Sequence, residues 1–171
     1  SRLFDQGAAV DATIVLKQMQ ILATASSKMV CGQVLDLQAE GKRVDQAALE
    51  TIHRNKTGAL ISAAIMMAAV AIFKGTDRAI PQLREYGQVI GLAFQVQDDI
   101  LDVESDTATL GKHQGADIAR DKPTYPALLG MDAAKAYALE LRDQALHALR
   151  PFDFAAEPLR ELARYIVERR N

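Results

Sequence analysis

Apolar residues recur along most of this chain at intervals of three and four, and no segment alternates apolar and polar residues as a half-buried strand does. The pattern therefore predicts an all-α protein. Start and stop residues predict helices at about 11–26, 28–39, 81–103 and 132–149. A further helix is expected to begin after an N-cap at Asp45, between the second and third of these, and a last one to begin at Pro158.

One stretch is almost entirely apolar. From Ala59 to Phe73 only Ser62 is not apolar, and fifteen helical residues span about 22 Å, short of the roughly 30 Å hydrocarbon layer of a membrane. The stretch predicts a buried helix and no membrane span. Gly58, just before it, is expected to mark a kink or a break.

The segment 104–122 is polar, contains Gly111 and Gly115, and shows no helical period. It predicts a long loop, and loops of this length tend to be functional. No internal repeat or interdomain linker interrupts the sequence, and 171 residues is the length of one ordinary domain. We therefore expect a single domain over residues 1–171.

An acidic stripe lies on the helix predicted at 81–103. With Gln95 at zero and about 100° per residue, Asp98, Asp99 and Asp102 fall near 300°, 40° and 340°, while apolar residues fill the rest of the circumference. Three carboxylates without histidine or thiolate partners suit a hard cation such as Mg²⁺, which takes one or two carboxylates, water and phosphate oxygens. A solvated helix face that ends in aspartates is the alternative.

Several other polar residues are candidates for binding an anion. Lys56 and Thr57 precede the expected helix break, and Lys112 and Lys122 lie in the predicted loop, where their side chains could donate to phosphate oxygens. Any single lysine is more often a solvated surface charge. Gln33 and Asp36, three residues apart, share a helix face that is equally consistent with an ordinary polar surface.

Composition narrows the choice of partners and compartment. Twenty basic and twenty-two acidic residues give a net charge of -2, without the basic excess of a nucleic-acid binder. Cys31, the single cysteine, excludes an intramolecular disulfide, fits a reducing compartment and is expected to be a small buried hydrophobe. No secretory signal pattern opens the sequence, so a cytoplasmic location is expected.

Four ordered motifs resemble those of the trans-isoprenyl diphosphate synthases, and most of all the bacterial farnesyl diphosphate synthases. Gly32-Gln33 with Asp36 resembles the family's Gly-Gln-x-x-Asp element, and Lys56-Thr57 resembles its Lys-Thr element. Phe94-Gln95-Val96-Gln97-Asp98-Asp99-Ile100-Leu101-Asp102 resembles the second aspartate-rich motif, and Gly111-Lys112 through Lys122-Pro123-Thr124-Tyr125-Pro126 resembles the segment after it.

The resemblance implies an all-α bundle around a central cavity, a homodimer, and condensation of isopentenyl diphosphate with an allylic diphosphate to a longer trans-prenyl chain. By resemblance, Asp98, Asp99 and Asp102 would hold Mg²⁺. Diphosphate oxygens would be bound by Lys56, Lys112 and Lys122, with Gln33 also a substrate-binding candidate. Thr57 and Gln95 would present oxygen dipoles near the developing carbocation.

The family's first aspartate-rich motif and the helices that carry it have no counterpart in these residues, where Asp98-Asp99 is the only Asp-Asp pair. The sequence thus resembles the C-terminal portion of a synthase, and the 171 residues alone are expected to be inactive. A geranylgeranyl or longer-chain diphosphate synthase, or a non-catalytic synthase-like subunit, remains an alternative to a farnesyl diphosphate synthase.

Overall fold

The computed structural model describes residues 11–73, 79–110 and 123–169, with side chains throughout except at 106–110. These residues form helices and no strand, which confirms the all-α prediction. The helices are α1 (Ala12–Ala39), α2 (Gln46–His53), α3 (Ala59–Phe73), α4 (Ala79–Leu110), α5 (Tyr125–Leu129), α6 (Met131–Ala148) and α7 (Glu157–Glu168).

Side-chain caps explain where several helices begin. The Asp45 carboxylate accepts a hydrogen bond from the Ala48 backbone N–H at 2.8 Å, as predicted for an N-cap. Asp11 caps α1 and Thr124 caps α5 in the same way. Pro158 occupies the first turn of α7, where its missing N–H leaves no intrahelical bond unmade.

Two of the predicted boundaries are wrong. The helices expected at 11–26 and 28–39 are one continuous helix, α1, because Ser26 and Ser27 are tolerated in a helix interior and no glycine or proline separates the two halves. The first part of the predicted loop, up to Leu110, belongs to α4. Extending an existing helix fixes only one residue per added hydrogen bond, so polar residues suffice to continue it.

A π-helical segment, Arg54–Gly58, joins α2 to α3, so the chain is helical without interruption from Gln46 to Phe73. Such a segment inserts one extra residue into a helix and is often found at functional sites. The expected disturbance at Gly58 is therefore a local widening of the helix rather than a break.

The whole run from Gln46 to Phe73 is long and apolar enough to cross a membrane by length and composition, a test that core helices of water-soluble proteins also pass. The length argument from fifteen residues does not apply to this run of 28 residues, so the absence of a membrane span stays a prediction. The predicted buried helix, α3, is buried only in part: Met66 and Val70 are buried, whereas Ile72 is exposed.

Helices α1 and α4 both pack on the run formed by the π-helical segment and α3, while α6 and α7 pack on α4. The largest fully buried side chains include Tyr86, Ile90 and Val96 of α4, which is therefore the central helix of the core. The Tyr86 hydroxyl donates to the Leu159 backbone oxygen at 2.7 Å and ties α4 to α7.

Candidate functional site

The π-helical segment presents Lys56 to one neighbouring helix and Thr57 to the other. The Lys56 ammonium forms an ion pair with Asp36 of α1, with 2.5 Å between Nζ and Oδ2. The Thr57 hydroxyl donates to Oε1 of Gln95 on α4 at 3.0 Å. Three of the motifs recognised in the sequence, separated by up to 59 residues between Asp36 and Gln95, therefore meet at one place.

Two glycines allow this meeting. A Cβ on Gly32 of α1 would lie 2.2 Å from the Lys56 backbone nitrogen, and a Cβ on Gly91 of α4 would lie 2.8 Å from the Gly58 Cα. Side chains at either position would push the helices apart. The two glycines therefore set how closely Asp36 and Gln95 approach the π-helical segment.

Asp99 differs from the other two aspartates of the stripe because it is buried, with 5% of its surface exposed. Its Oδ1 accepts from Nε2 of Gln95 at 3.2 Å, and its Oδ2 accepts from the Tyr125 backbone N–H at 3.1 Å. The His53 Nε2 atom lies 3.4 Å from Oδ2. Asp99 thus faces the interior of the protein, whereas the helical wheel placed it on the polar stripe together with Asp98 and Asp102.

His53 and Tyr125 are site residues that sequence reasoning missed as such. Their rings stack with centroids 5.6 Å apart, and Tyr125 also contacts the ring of Tyr137, whose hydroxyl donates to Glu50 at 2.7 Å. Burial raises the pKa of the Tyr125 hydroxyl, and burial together with the hydrogen bond to Glu50 raises that of Tyr137. The one feature of the sequence that could have indicated His53 is its position four residues before Thr57, about one helical turn away.

Asp98 and Asp102 lie one turn apart on the outer face of α4, Asp98 partly exposed and Asp102 exposed. The Arg169 guanidinium lies 3.1 Å from Oδ1 of Asp98 and stacks over the Phe94 ring, with 4.5 Å from its central carbon to the ring centroid. Any cation bound by Asp98 would share or replace this contact.

The donor set fits magnesium as a partial site. Within the described parts of the chain, no three His, Cys, Asp or Glu side chains converge on one point as a complete metal site. Mg²⁺ needs only one or two carboxylates when water and phosphate oxygens complete its shell. Asp98 and Asp102 would supply that number, and Asp99 is the buried one of the three aspartates.

The remaining predicted site residues are not brought into this cluster. Gln33 is exposed on α1, whereas Asp36, three residues on, is buried. Lys112 and Lys122 lie outside the described residues. Cys31 is exposed, which contradicts the expectation of a buried hydrophobe.

Beside the π-helical segment lies an open cleft of about 790 Å³ between α1, α3 and α4. Exposed basic side chains of Lys17, Lys28, Arg54 and Arg84 line it, together with buried Ala63 and Met66. The cleft therefore combines positive charge with apolar surface next to Asn55 and Gly58.

Comparison with known proteins places this arrangement in a family. The polyprenyl synthetase family model matches residues 4–150. Farnesyl diphosphate synthase of Escherichia coli (strain K12) is 52% identical over 153 residues, which are 86% of this chain and 51% of that protein. The chain spans about half the length of the curated relatives it matches.

Solved structures of prenyl synthases have the same helical fold as this chain. An FPP/GFPP synthase from Zymomonas mobilis in its apo form superposes with a TM-score of 0.76 and 36% identity, covering 91% of this chain and 52% of that one. A geranyltransferase from Helicobacter pylori, complexed with magnesium and isoprenyl diphosphate, has a TM-score of 0.74 and 31% identity, with 94% and 53% covered. By its helical fold and the match over most of its length, the chain belongs to the polyprenyl synthetase family.

Proposed function

We propose that this chain supplies the Lys56–Gln95–Asp98 part of the active site of a Mg²⁺-dependent prenyltransferase. The enzyme would condense isopentenyl diphosphate with dimethylallyl or geranyl diphosphate to give farnesyl diphosphate. The observation that carries the proposal is the Thr57–Gln95 hydrogen bond, one helical turn from Asp98 on α4 and next to Lys56, which pairs with Asp36. The identity to a farnesyl diphosphate synthase supports it.

The first step is departure of diphosphate from the allylic carbon, which breaks the C–O bond and leaves a carbocation. Lys56, kept in place by Asp36, would bind diphosphate oxygens, with Lys112, Lys122 and Gln33 as further substrate-binding residues. Asp98 and Asp102 would hold magnesium, which when bound supplies positive charge that stabilises the departing diphosphate.

The second step is attack on the carbocation by the double bond of isopentenyl diphosphate, followed by loss of a proton. The oxygens of Thr57 and Gln95 would face the cation and stabilise it electrostatically. Preorganised dipoles of this kind are most effective in a site from which water is excluded. The half-buried setting of both side chains is consistent with that requirement.

The test is the substitution Asp98→Ala, assayed in the full-length gene product with both substrates and Mg²⁺. Loss of a metal-binding carboxylate is expected to lower kcat/KM by orders of magnitude, about 10²-fold or more. Asp143→Ala, which removes an exposed carboxylate beside Arg142, is the control and should leave turnover unchanged. Near-normal turnover of the Asp98→Ala variant would contradict the proposal.

The length of the prenyl product and the oligomeric state of the enzyme belong to the same proposal. Chromatography of the products distinguishes a farnesyl from a geranylgeranyl or longer-chain synthase. A homodimer is proposed from the family resemblance and a cytoplasmic location from the single cysteine. Sedimentation of the full-length product tests the oligomer.

A second candidate function is a non-catalytic synthase-like subunit, favoured by the single Asp-Asp pair in these residues. It predicts that the 171 residues give no condensation product but still bind inorganic pyrophosphate when Mg²⁺ is present. Turnover by the isolated chain would refute it.

A further inference from the structure

We propose that Asp99 is a positioning residue that fixes the direction of the Gln95–Thr57 hydrogen bond, rather than a ligand of the metal. The inference rests on the proposed function, because the Thr57 oxygen that it orients is the one assigned to the carbocation. It concerns the second aspartate of the pair, whose surroundings differ from those of Asp98 in burial and in hydrogen bonding.

The first step of the argument is that both carboxylate oxygens of Asp99 are already used. One accepts from the Gln95 side chain and the other from the Tyr125 backbone N–H, within an environment that leaves 5% of the residue exposed. Each carboxylate oxygen has a second lone pair, so these hydrogen bonds alone do not exclude a metal. Burial does disfavour one, because Mg²⁺ keeps several of its waters and a hydrated ion cannot readily reach a carboxylate that is 5% exposed.

The second step is that Asp99 decides which way the Gln95 amide points. An ionised carboxylate accepts hydrogen bonds and donates none, so the amide group that faces it must be the NH₂ end. The carbonyl end, Oε1, then faces Thr57. Asp99 alone sets this orientation, because the Thr57 hydroxyl can either donate or accept.

The third step is that Gln95 decides which way the Thr57 hydroxyl points. Because Oε1 can only accept, Thr57 must donate its proton to it, over 3.0 Å. The lone pairs of the Thr57 oxygen are thereby left for another group. An oxygen presented with its lone pairs attracts a cation, whereas a hydroxyl that presents its proton repels one.

A neutral amide at position 99 should reverse this chain of hydrogen bonds. In Asp99→Asn, the side-chain oxygen accepts from the Tyr125 N–H and the NH₂ group faces Gln95. The Gln95 amide then turns over to avoid two opposed donors, and its NH₂ end faces Thr57, whose oxygen must now accept. The residues keep their places while the dipole at the cation site changes sign.

The experiment compares Asp99→Asn with the exchanged pair Gln95→Glu/Asp99→Asn in the full-length product. In the double variant, the amide at position 99 donates to a carboxylate at position 95, and the other oxygen of that carboxylate again accepts from Thr57. We expect kcat to fall about 10- to 100-fold in Asp99→Asn and to recover at least half of that loss, on a logarithmic scale, in the double variant.

A second readout separates positioning from metal binding without requiring turnover. Calorimetric titration of inorganic pyrophosphate in the presence of Mg²⁺ should give a Kd within about twofold of wild type for Asp99→Asn, and a Kd at least tenfold higher for the matched control Asp98→Asn. The double variant retains every hydrogen bond, so it remains a folded test even where Asp99→Asn alone folds poorly, as circular dichroism would reveal.

The proposal is overturned if Asp99→Asn weakens Mg²⁺-dependent pyrophosphate binding as much as Asp98→Asn does, or if the double variant is no more active than Asp99→Asn. Failure of the proposed function has a different signature. In that case wild-type protein forms no prenyl product, and the side-chain amide resonance of Gln95 still moves in Asp99→Asn because its partner changes from a carboxylate to a hydroxyl.

Discussion

At the scale of single residues, the site depends on charged groups that are held by a partner. Lys56 is about a third exposed at its side chain, and Asp36, which binds its ammonium, is nearly buried. A lysine on a flexible stem would otherwise sample many rotamers, so the ion pair fixes the direction of its charge. Removing the carboxylate leaves that charge partly buried without its partner.

We therefore expect Asp36→Asn to lower the free energy of unfolding by about 1–3 kcal/mol and to raise the KM for the allylic substrate. Asp143→Asn is the matched control, because the Asp143 side chain is 66% exposed and exposed ion pairs contribute about 0–1 kcal/mol. Urea denaturation of both variants at neutral pH measures the difference. Equal stability of the two variants would show that the Asp36–Lys56 pair has no structural role.

At the scale of elements, the site is a crossing of helices at short distance. The π-helical segment contacts α1 at Gly32 and α4 at Gly91, and both contacts are between backbones. Lys56 and Thr57, successive residues of the π-helical segment, contact different neighbours, so all three elements must keep their spacing for the site to form.

Gly91→Ala should lower the free energy of unfolding by about 1–3 kcal/mol, because its Cβ would overlap the Gly58 backbone. Gly58→Ala tests the same crossing from the other side and is the control. Its Cβ would meet its nearest atom at 3.5 Å, an ordinary contact, and alanine favours a helix by about 1 kcal/mol over glycine. Thermal denaturation should rank Gly58→Ala at or above wild type and Gly91→Ala well below; the reverse order would contradict this geometry.

At the scale of the whole molecule, buried tyrosines connect elements that are distant in sequence. Tyr86 joins α4 to α7 through Leu159, and Tyr137 joins α6 to α2 through Glu50. Burial raises the pKa of Tyr86 from 10.0 to about 12 and also raises the pKa of Tyr125 and Tyr137. The folded molecule therefore holds these protons at a pH where the unfolded chain releases them.

Stability should accordingly be constant below the unfolded pKa and fall as the pH rises above about 10, by about 1.4 kcal/mol per pH unit for each such tyrosine. Urea denaturation at pH 8, 10 and 11 measures the slope. Tyr86→Phe should reduce it by one tyrosine's share, and Tyr165→Phe, at an exposed position, should not change it. A free energy of unfolding that is independent of pH between about 10 and 11.5 would disprove the prediction.

The sequence by itself determined the helical class, the N-cap at Asp45 and the start of α7 at Pro158, and it supplied the candidates for the site residues. These follow from local physics, because capping, helical periodicity and the oxygen chemistry of carboxylates depend on neighbours along the chain. The same local reasoning ended α4 too early, since nothing within a polar segment tells whether an existing helix continues through it.

Tertiary structure alone decided which carboxylates of the stripe are available. A helical wheel assigns Asp98, Asp99 and Asp102 to one arc, but the distinction between them comes from what packs against α4. His53 and the Tyr125 backbone, 46 positions before and 26 positions after Asp99, enclose its carboxylate, while Asp98 remains partly exposed beside Arg169. Burial and hydrogen-bond partners are properties of the folded arrangement, and they separate a side chain that can meet a cation from one that holds its neighbours in place.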